Sequence, residues 1–489
     1  MSAKTARTGR EIDEIRKARK GTAWTRRVFR ALLSEDELAE YERTIESELR
    51  KVKMYTAYDE LSGVDVAPEA LIRKLDFSHI LCLWAYKGLY YALSPLKLPM
   101  KRRRGAGEPI RVLRITSWIT QGGVAKVCLQ TLLRMSGETR NGVLLFQEKI
   151  GELPEIQRRP NIELIPRRLN LFPKVLNYKM LKAIFKAAKT ARRFRPDIIH
   201  LHEPQLAPVA RIMSAWAGGA TVCVHLHNDY NERQQSISVP LVEVTRHALR
   251  RSRLIACSRT ILDAGDEWLG GMKHPIALIE DGSDDITPPV SNADRLPERL
   301  VEAAGGRRVV AMLSHIVPHK RIIDFLSACR RLLDEGAPIF VCLMAYSAKP
   351  KYSSAMRRLF NEMIKPHEGE FLFSVPDAPR MLPHVDIGVT TSVLEGLGLN
   401  VLEFQVEGVP VVCTDIKPHR EMVEDGASGV LYPPQDVDAL VMRIKELLAD
   451  PGLARRIGEG GREAAARRRW QKTADNMLAF YREILSDKG

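Results

Sequence analysis

Glu395 and Glu403 stand at the most chemically loaded stretch of the sequence, Ser392-Val393-Leu394-Glu395-Gly396-Leu397-Gly398-Leu399-Asn400-Val401-Leu402-Glu403. A strand-like run from Asp386 to Thr391 enters a small glycine-bearing turn and then an apolar-periodic helix. The first N–H groups of a helix have no intrahelical partner and carry the positive end of its dipole, so they suit an anionic group. Carboxylates beside such a site cannot serve the anion; they suit hydroxyl groups. Two carboxylates flanking phosphate donors, on roughly one helix face, fit hydroxyl-bearing rings on either side of a diphosphate. That chemistry is a nucleotide sugar.

Other residue groups fall at the ends of strand-like runs. Gly122 and Gly123 follow the first of them, and a glycine pair there lets backbone approach a ligand. His200-Leu201-His202 and His225-Leu226-His227 each close a buried-type strand, where ligands bind in open α/β sheets. His227 and His202 are the expected site members, and His200 and His225 are expected to face the other side of the sheet. Leu313-Ser314-His315-Ile316-Val317-Pro318-His319-Lys320-Arg321 closes a further strand and offers cations.

These motifs resemble the retaining glycosyltransferases of family 4, which have the two-domain GT-B fold. The resemblance is carried by Glu395-Gly396-Leu397-Gly398 with Glu403, and by Glu407-Gly408-Val409-Pro410, Glu421-Met422-Val423-Glu424-Asp425-Gly426 and Gly429-Val430-Leu431-Tyr432-Pro433-Pro434. It runs from about Arg111 to the C-terminus. It implies that His227, Glu395 and Lys320 are catalytic, with His227 facing the donor sugar near the reacting carbon. It implies a substrate-binding set of Gly122, Gly123, His202, His315, Ser392, Gly396, Gly398, Leu399, Asn400 and Glu403. Glu395 would hold sugar hydroxyls and Glu403 the ribose. The family usually has Gly-Arg where this chain has Ser314-His315, which leaves His315 when protonated, His319 or Arg321 to supply the missing charge, or diphosphate binding weak. No metal and no cofactor is expected, the nucleotide sugar being a substrate.

The elements that must position these residues alternate between strand and helix in two blocks, which argues for parallel, doubly wound sheets. The expected strands are Val112–Trp118, Gly142–Gln147, Ile162–Ile165, Asp197–His202, Thr221–His227, Leu254–Cys257 and Ile276–Ile279. A second series comprises Arg308–Leu313, Ile339–Met344, Glu370–Ser374, Asp386–Thr391, Val411–Thr414 and Gly429–Leu431. The expected fold class is α/β: GT-B, two Rossmann-like domains facing across a cleft, plus a mainly helical N-terminal extension. The domains are placed at 1–106 (the extension), 107–290 (acceptor side), 291–470 (donor side) and 471–489 (a helix returning to the first domain). A proline-bearing stretch from Asp284 to Pro297 reads as the linker.

With 489 residues the chain is too long for one core, and 45% hydrophobic with 28% charged residues is a globular composition. The seven cysteines form no Cys-x-x-Cys pair and read as buried thiols of a reducing compartment. The first residues carry charge and no apolar core segment, so a secretory signal is not expected, and the expected location is the cytoplasm. The net charge of +15 comes without a nucleic-acid module, and nucleic acid is not expected as a partner. An apolar, aromatic-rich segment, Phe77–Ser94, precedes Lys101-Arg102-Arg103-Arg104. Such a pair suits a helix packed on the neighbouring domain, one lying on an anionic membrane surface or, the segment being barely long enough, one spanning the membrane; the second places the protein peripherally on the inner face of the cell membrane.

The resulting expectation is a retaining, metal-independent glycosyltransferase that passes a sugar from a nucleotide-sugar donor to a glycan or lipid-linked glycan. Cell-surface polysaccharide or glycolipid synthesis is its setting. The alternatives are a catalytically impaired scaffold that binds nucleotide or a partner, and an epimerase or phosphorylase on the same architecture.

Overall fold

The computed structural model describes residues 86, 88–96, 105, 107–116, 122–135, 137–145, 156, 158–165, 178–228, 239–284, 296–346, 350–373 and 378–487. The basic run at 101–104, most of the 77–94 segment and most of the linker lie outside them. The chain divides into two compact units, which meet in sequence at Glu280/Asp281 and again at Trp470/Gln471.

In the first unit, β1 (Ile110–Thr116), β2 (Thr139–Leu145), β3 (Ile162–Ile165), β4 (Ile198–Leu201), β5 (Thr221–Leu226), β6 (Arg253–Ala256) and β7 (Ala277–Leu278) form one sheet in the order β3-β2-β1-β4-β5-β6-β7. Every pairing is parallel. The connections run through α1 (Gly123–Arg134), α2 (Tyr178–Phe194), α3 (Ala207–Trp216), α4 (Val239–Arg250) and α5 (Arg259–Leu269). β4 and β5 are buried along their whole length, as strands covered on both faces must be.

The second unit carries α6 (Leu296–Ala304), β8 (Arg308–His315), α7 (Ile322–Asp334), β9 (Ile339–Tyr346), α8 (Pro350–Met363), β10 (Gly369–Phe373) and β11 (Ile387–Thr390). There follow α9 (Leu399–Val406), β12 (Val411–Thr414), α10 (Lys417–Arg420), β13 (Val430–Tyr432), α11 (Val437–Ala449) and α12 (Pro451–Ala465). Its six strands are again all parallel, in the order β10-β9-β8-β11-β12-β13. All thirteen expected strands are present, within a few residues of their expected ends.

Each sheet reverses its winding direction once, between β1 and β4 in the first and between β8 and β11 in the second. At such a switch point the helices leave on opposite faces, and the carboxyl ends of the strands open a crevice for ligand. Gly122 follows β1 and His202 follows β4; His315 ends β8 and Glu395 follows β11. The topology thus brings these four residues to the two switch points, while His227 follows β5, the strand beyond β4.

The last helix, α13 (Trp470–Ser486), serves the first unit. Ala474, Met477, Tyr481 and Ile484 join Val112, Ile198, Cys223 and Ile255 in one apolar cluster. At roughly 1.5–3 kcal/mol per large buried side chain, this helix contributes substantially to holding that unit together. The described part of the N-terminal segment is also packed. Tyr86 and Tyr90 are buried, and Tyr90 shares a 2.8 Å hydrogen bond with His247 on α4. Among the described residues no helix is long and apolar enough to cross a membrane. The six described cysteines are free and buried.

Candidate functional site

In the second unit the site begins with a glycine. Gly398 caps α9 at φ 99°, a left-handed conformation open to glycine at little cost. A Cβ there would meet Met422 Cε at 3.0 Å and the His419 ring at 3.2 Å. No side chain caps the helix, so its first amides keep no local acceptor of that kind. Asn400 ties this first turn to the sheet, donating to the Leu313 carbonyl at 3.3 Å and to Thr390 Oγ1 at 3.0 Å.

The turn after β8 closes onto the turn after β11. Val393 N donates to the His319 carbonyl at 2.9 Å, and Thr391 Oγ1 donates to the Lys320 carbonyl at 2.7 Å. Lys320 Nζ pairs with the Glu395 carboxylate, both side chains being largely withdrawn from solvent. Burial alone would raise the Glu395 pKa. The charges of Lys320 and His419, with hydrogen bonds from Lys320 and Ser392, overcome it and hold the carboxyl down at about 2. Glu395 is ionised at any physiological pH.

Below the turn, Thr414 Oγ1 donates to the Ser392 carbonyl, and His419 Nδ1 lies 2.7 Å from the Thr414 carbonyl. Arg321 is committed elsewhere: its guanidinium forks onto Asp324 at 2.7 and 2.9 Å, which removes it as the replacement cation. His315 stacks flat on Tyr346, with ring centroids 4.8 Å apart and planes 7° from parallel. Burial raises the Tyr346 pKa, and the negative charges of Glu403 and Glu395 add to it, so both glutamates bear on one phenol. The turn thus gathers Lys320, Glu395, His315 and the α9 amides, with Glu403 further along α9.

The first unit places a different chemistry at its switch point. Gly122, at φ 95°, opens α1, which also starts without a side-chain cap. All four histidines lie on one face of the sheet. His200 and His202 stack at 4.7 Å and 9°, His202 and His227 at 5.3 Å and 14°, and His225 lies 4.0 Å from His227. The expectation that His200 and His225 turn away is therefore corrected. Residues two apart on a strand share a face, so His200 must follow His202 and His225 must follow His227.

Beside His200, on β1, lies Arg114, fully buried and aimed at three neutral partners: Asn141 Oδ1 at 3.2 Å, Thr131 Oγ1 at 3.0 Å and the Met135 sulfur at 3.5 Å. Burial pushes the pKa of His200, His202 and His225 well below the ordinary histidine value, and Arg114 pushes each further. The ligating nitrogens of these three rings lie within 4.8 Å of one another. A depressed pKa keeps these rings in the neutral form that can ligate a metal, while the charge of Arg114 works against a further cation beside it.

Sequence reasoning missed Arg114, Tyr346, His419 and Tyr481. Arg114 had a visible signal, a charge inside the apolar run Ile110–Thr116 at the period of Val112 and Thr116. Tyr346 becomes legible only once β9 is known to lie beside β8 in register, His315 opposite Tyr346.

The description "Glycosyl transferases group 1" matches residues 298–464, and "Glycosyl transferase 4-like domain" matches residues 122–282. Anabaena HepE, crystallised in complex with UDP and glucose, superposes with a TM-score of 0.63 at 18% identity, covering 77% of this chain and 100% of that one. The chain has the GT-B fold. Its GT-B domains are also similar in sequence to EpsD of Bacillus subtilis (strain 168), at 36% identity over 105 residues, 22% of this chain and 28% of that protein. A D-inositol 3-phosphate glycosyltransferase of Corynebacterium urealyticum (strain ATCC 43042 / DSM 7109) is 25% identical over 266 residues, 49% of this chain and 61% of that protein. The chain thus spans less than two thirds of the length of either of these two relatives.

Proposed function

We propose that this GT-B protein is a retaining glycosyltransferase of family 4, moving a sugar from a nucleotide-sugar donor to a glycan or lipid-linked acceptor. The observation that carries the reading is the α9 turn, where uncapped helix amides lie with a buried Lys320–Glu395 pair and a second carboxylate, Glu403. The crystallisation of a like-folded protein with UDP and glucose supports a nucleotide sugar as the donor.

Breaking a glycosyl–phosphate bond builds negative charge on the leaving diphosphate and positive charge on the sugar ring. Fixed donors must stabilise the first. Lys320 and the Gly398 and Leu399 amides supply them, so the reaction proceeds without a metal. Glu395, ionised and held by Lys320, takes sugar hydroxyls, and Glu403 takes the ribose. His227 faces the donor sugar. The acceptor returns on the face the diphosphate leaves, and a phosphate oxygen takes its proton, which retains the anomeric configuration. The basic N-terminal extension draws the enzyme to an anionic membrane surface that displays the acceptor.

The test is direct. Purified full-length protein is incubated with UDP- and GDP-sugars and with lipid-linked glycans, on anionic and on neutral vesicles. Transfer with retained anomeric configuration, read by NMR of the product, supports the proposal. Loss of donor binding by calorimetry in Glu403→Ala supports the ribose assignment, and full retention refutes it. Nucleotide binding without turnover would favour the impaired-scaffold alternative.

A further inference from the structure

His202 is tied to its neighbours by ring contacts and by a hydrogen bond to a second histidine. Its ring lies between two near-parallel imidazoles, His200 on one side and His227 on the other, and His200 Nδ1 is in turn bonded to the Tyr481 hydroxyl of α13. His202 Nδ1 lies 3.0 Å from His227 Nε2. Its other nitrogen, Nε2, is buried and has no hydrogen-bond partner among the described residues. Burial, the neighbouring imidazoles and Arg114 keep the ring neutral.

Only one of the two facing nitrogens carries the shared hydrogen. If His227 donated it, neutral His202 would hold its own proton on Nε2, a buried N–H with no acceptor. If His202 donates it, Nε2 is left as a bare lone pair. Orphaned buried N–H groups are the rarer of the two in folded proteins. We infer that His202 is a positioning residue: it donates its Nδ1 hydrogen to His227 Nε2 and so fixes His227 as the Nδ1–H tautomer.

The consequence is chemical. With its Nε2 lone pair engaged by His202, His227 cannot act as a base through that atom. It acts as a hydrogen-bond donor through Nδ1, toward a hydroxyl or phosphate oxygen. This second step rests on the reading that His227 faces the donor sugar; the tautomer assignment does not.

The experiment is a long-range 1H–15N correlation spectrum of the full-length protein labelled at histidine, with His227→Gln used to assign the His227 signals. The expected wild-type pattern is that of the Nδ1–H tautomer. His202→Ala should abolish the preference, and His202→Asn, whose amide can occupy the position of Nδ1, should restore it. A wild-type His227 protonated at Nε2 overturns the inference, and so does a pattern indifferent to His202→Ala. Should the alanine variant fail to fold, the wild-type and asparagine spectra decide between the same two results. In turnover assays His202→Ala should lower kcat roughly 10²-fold through misorientation while KM moves by less than about threefold, and His202→Asn should recover most of the loss. Unimpaired turnover by His227→Gln would remove the sugar-facing reading and leave the tautomer assignment standing.

Discussion

Lys320, from the turn after β8, and Glu395, from the turn after β11, form an ion pair withdrawn from water across the switch point of the second sheet. Each was expected in the site for its own sake. Together they are also a structural tie, and they bring a cation and an anion to the same turn without leaving either buried alone.

Breaking this pair from one side strands a buried charge. Lys320→Ala should destabilise the second unit by about 3–5 kcal/mol, while Glu395→Gln with Lys320→Met should cost much less. Urea denaturation of the two variants checks this, and equal losses would show that the pair carries no coupling.

The Glu395 carboxyl, held at about 2, also sets an acid limit. Its folded pKa lies below the unfolded one, so the stabilisation is fully present above an unfolded pKa of about 4.3 and is lost as pH falls toward 2. The contribution is on the order of 3 kcal/mol. Denaturation midpoints followed from pH 5 downward should fall less steeply in Glu395→Gln than in the wild type.

The histidine layer acts at milder acidity. His200, His202 and His225 stay neutral when folded, with pKa values well below the ordinary one. Below an unfolded value of about 6.5 the unfolded chain binds protons that the folded chain refuses, so stability declines as pH drops from there. His225→Phe should lessen the decline between pH 6.5 and 5. An unchanged slope would mean that this ring already takes up a proton in the folded protein.

Gly398→Ala places a side chain at φ 99°, 3.0 Å from Met422 and 3.2 Å from His419. The strain should cost about 1–3 kcal/mol, read as a lowered Tm. Nucleotide-sugar affinity should fall further than Tm alone explains, because the α9 amides are displaced.

Tyr90→Phe removes the hydroxyl, with its hydrogen bonds to His247 and Ser94, and leaves the ring buried. A loss of about 1 kcal/mol is expected. A normal Tm would show that aromatic packing alone docks this segment on α4.

Much of this protein is written locally. Alternating apolar runs and glycine turns determine thirteen parallel strands, because period and turn chemistry act over a few residues. The Glu395-Gly396-Leu397-Gly398 run determines an uncapped helix start, because Gly398 alone meets the backbone demand there. Pairings across the chain were not legible. The Lys320–Glu395 tie joins residues 75 apart, and the Tyr481 hydroxyl reaches His200 across 281. Which strand lies beside which, and hence that His315 meets Tyr346 and that Arg114 lies beside His200, was decided by the sheet order. That order minimises exposed apolar area over the whole unit, and no short window of sequence carries that sum.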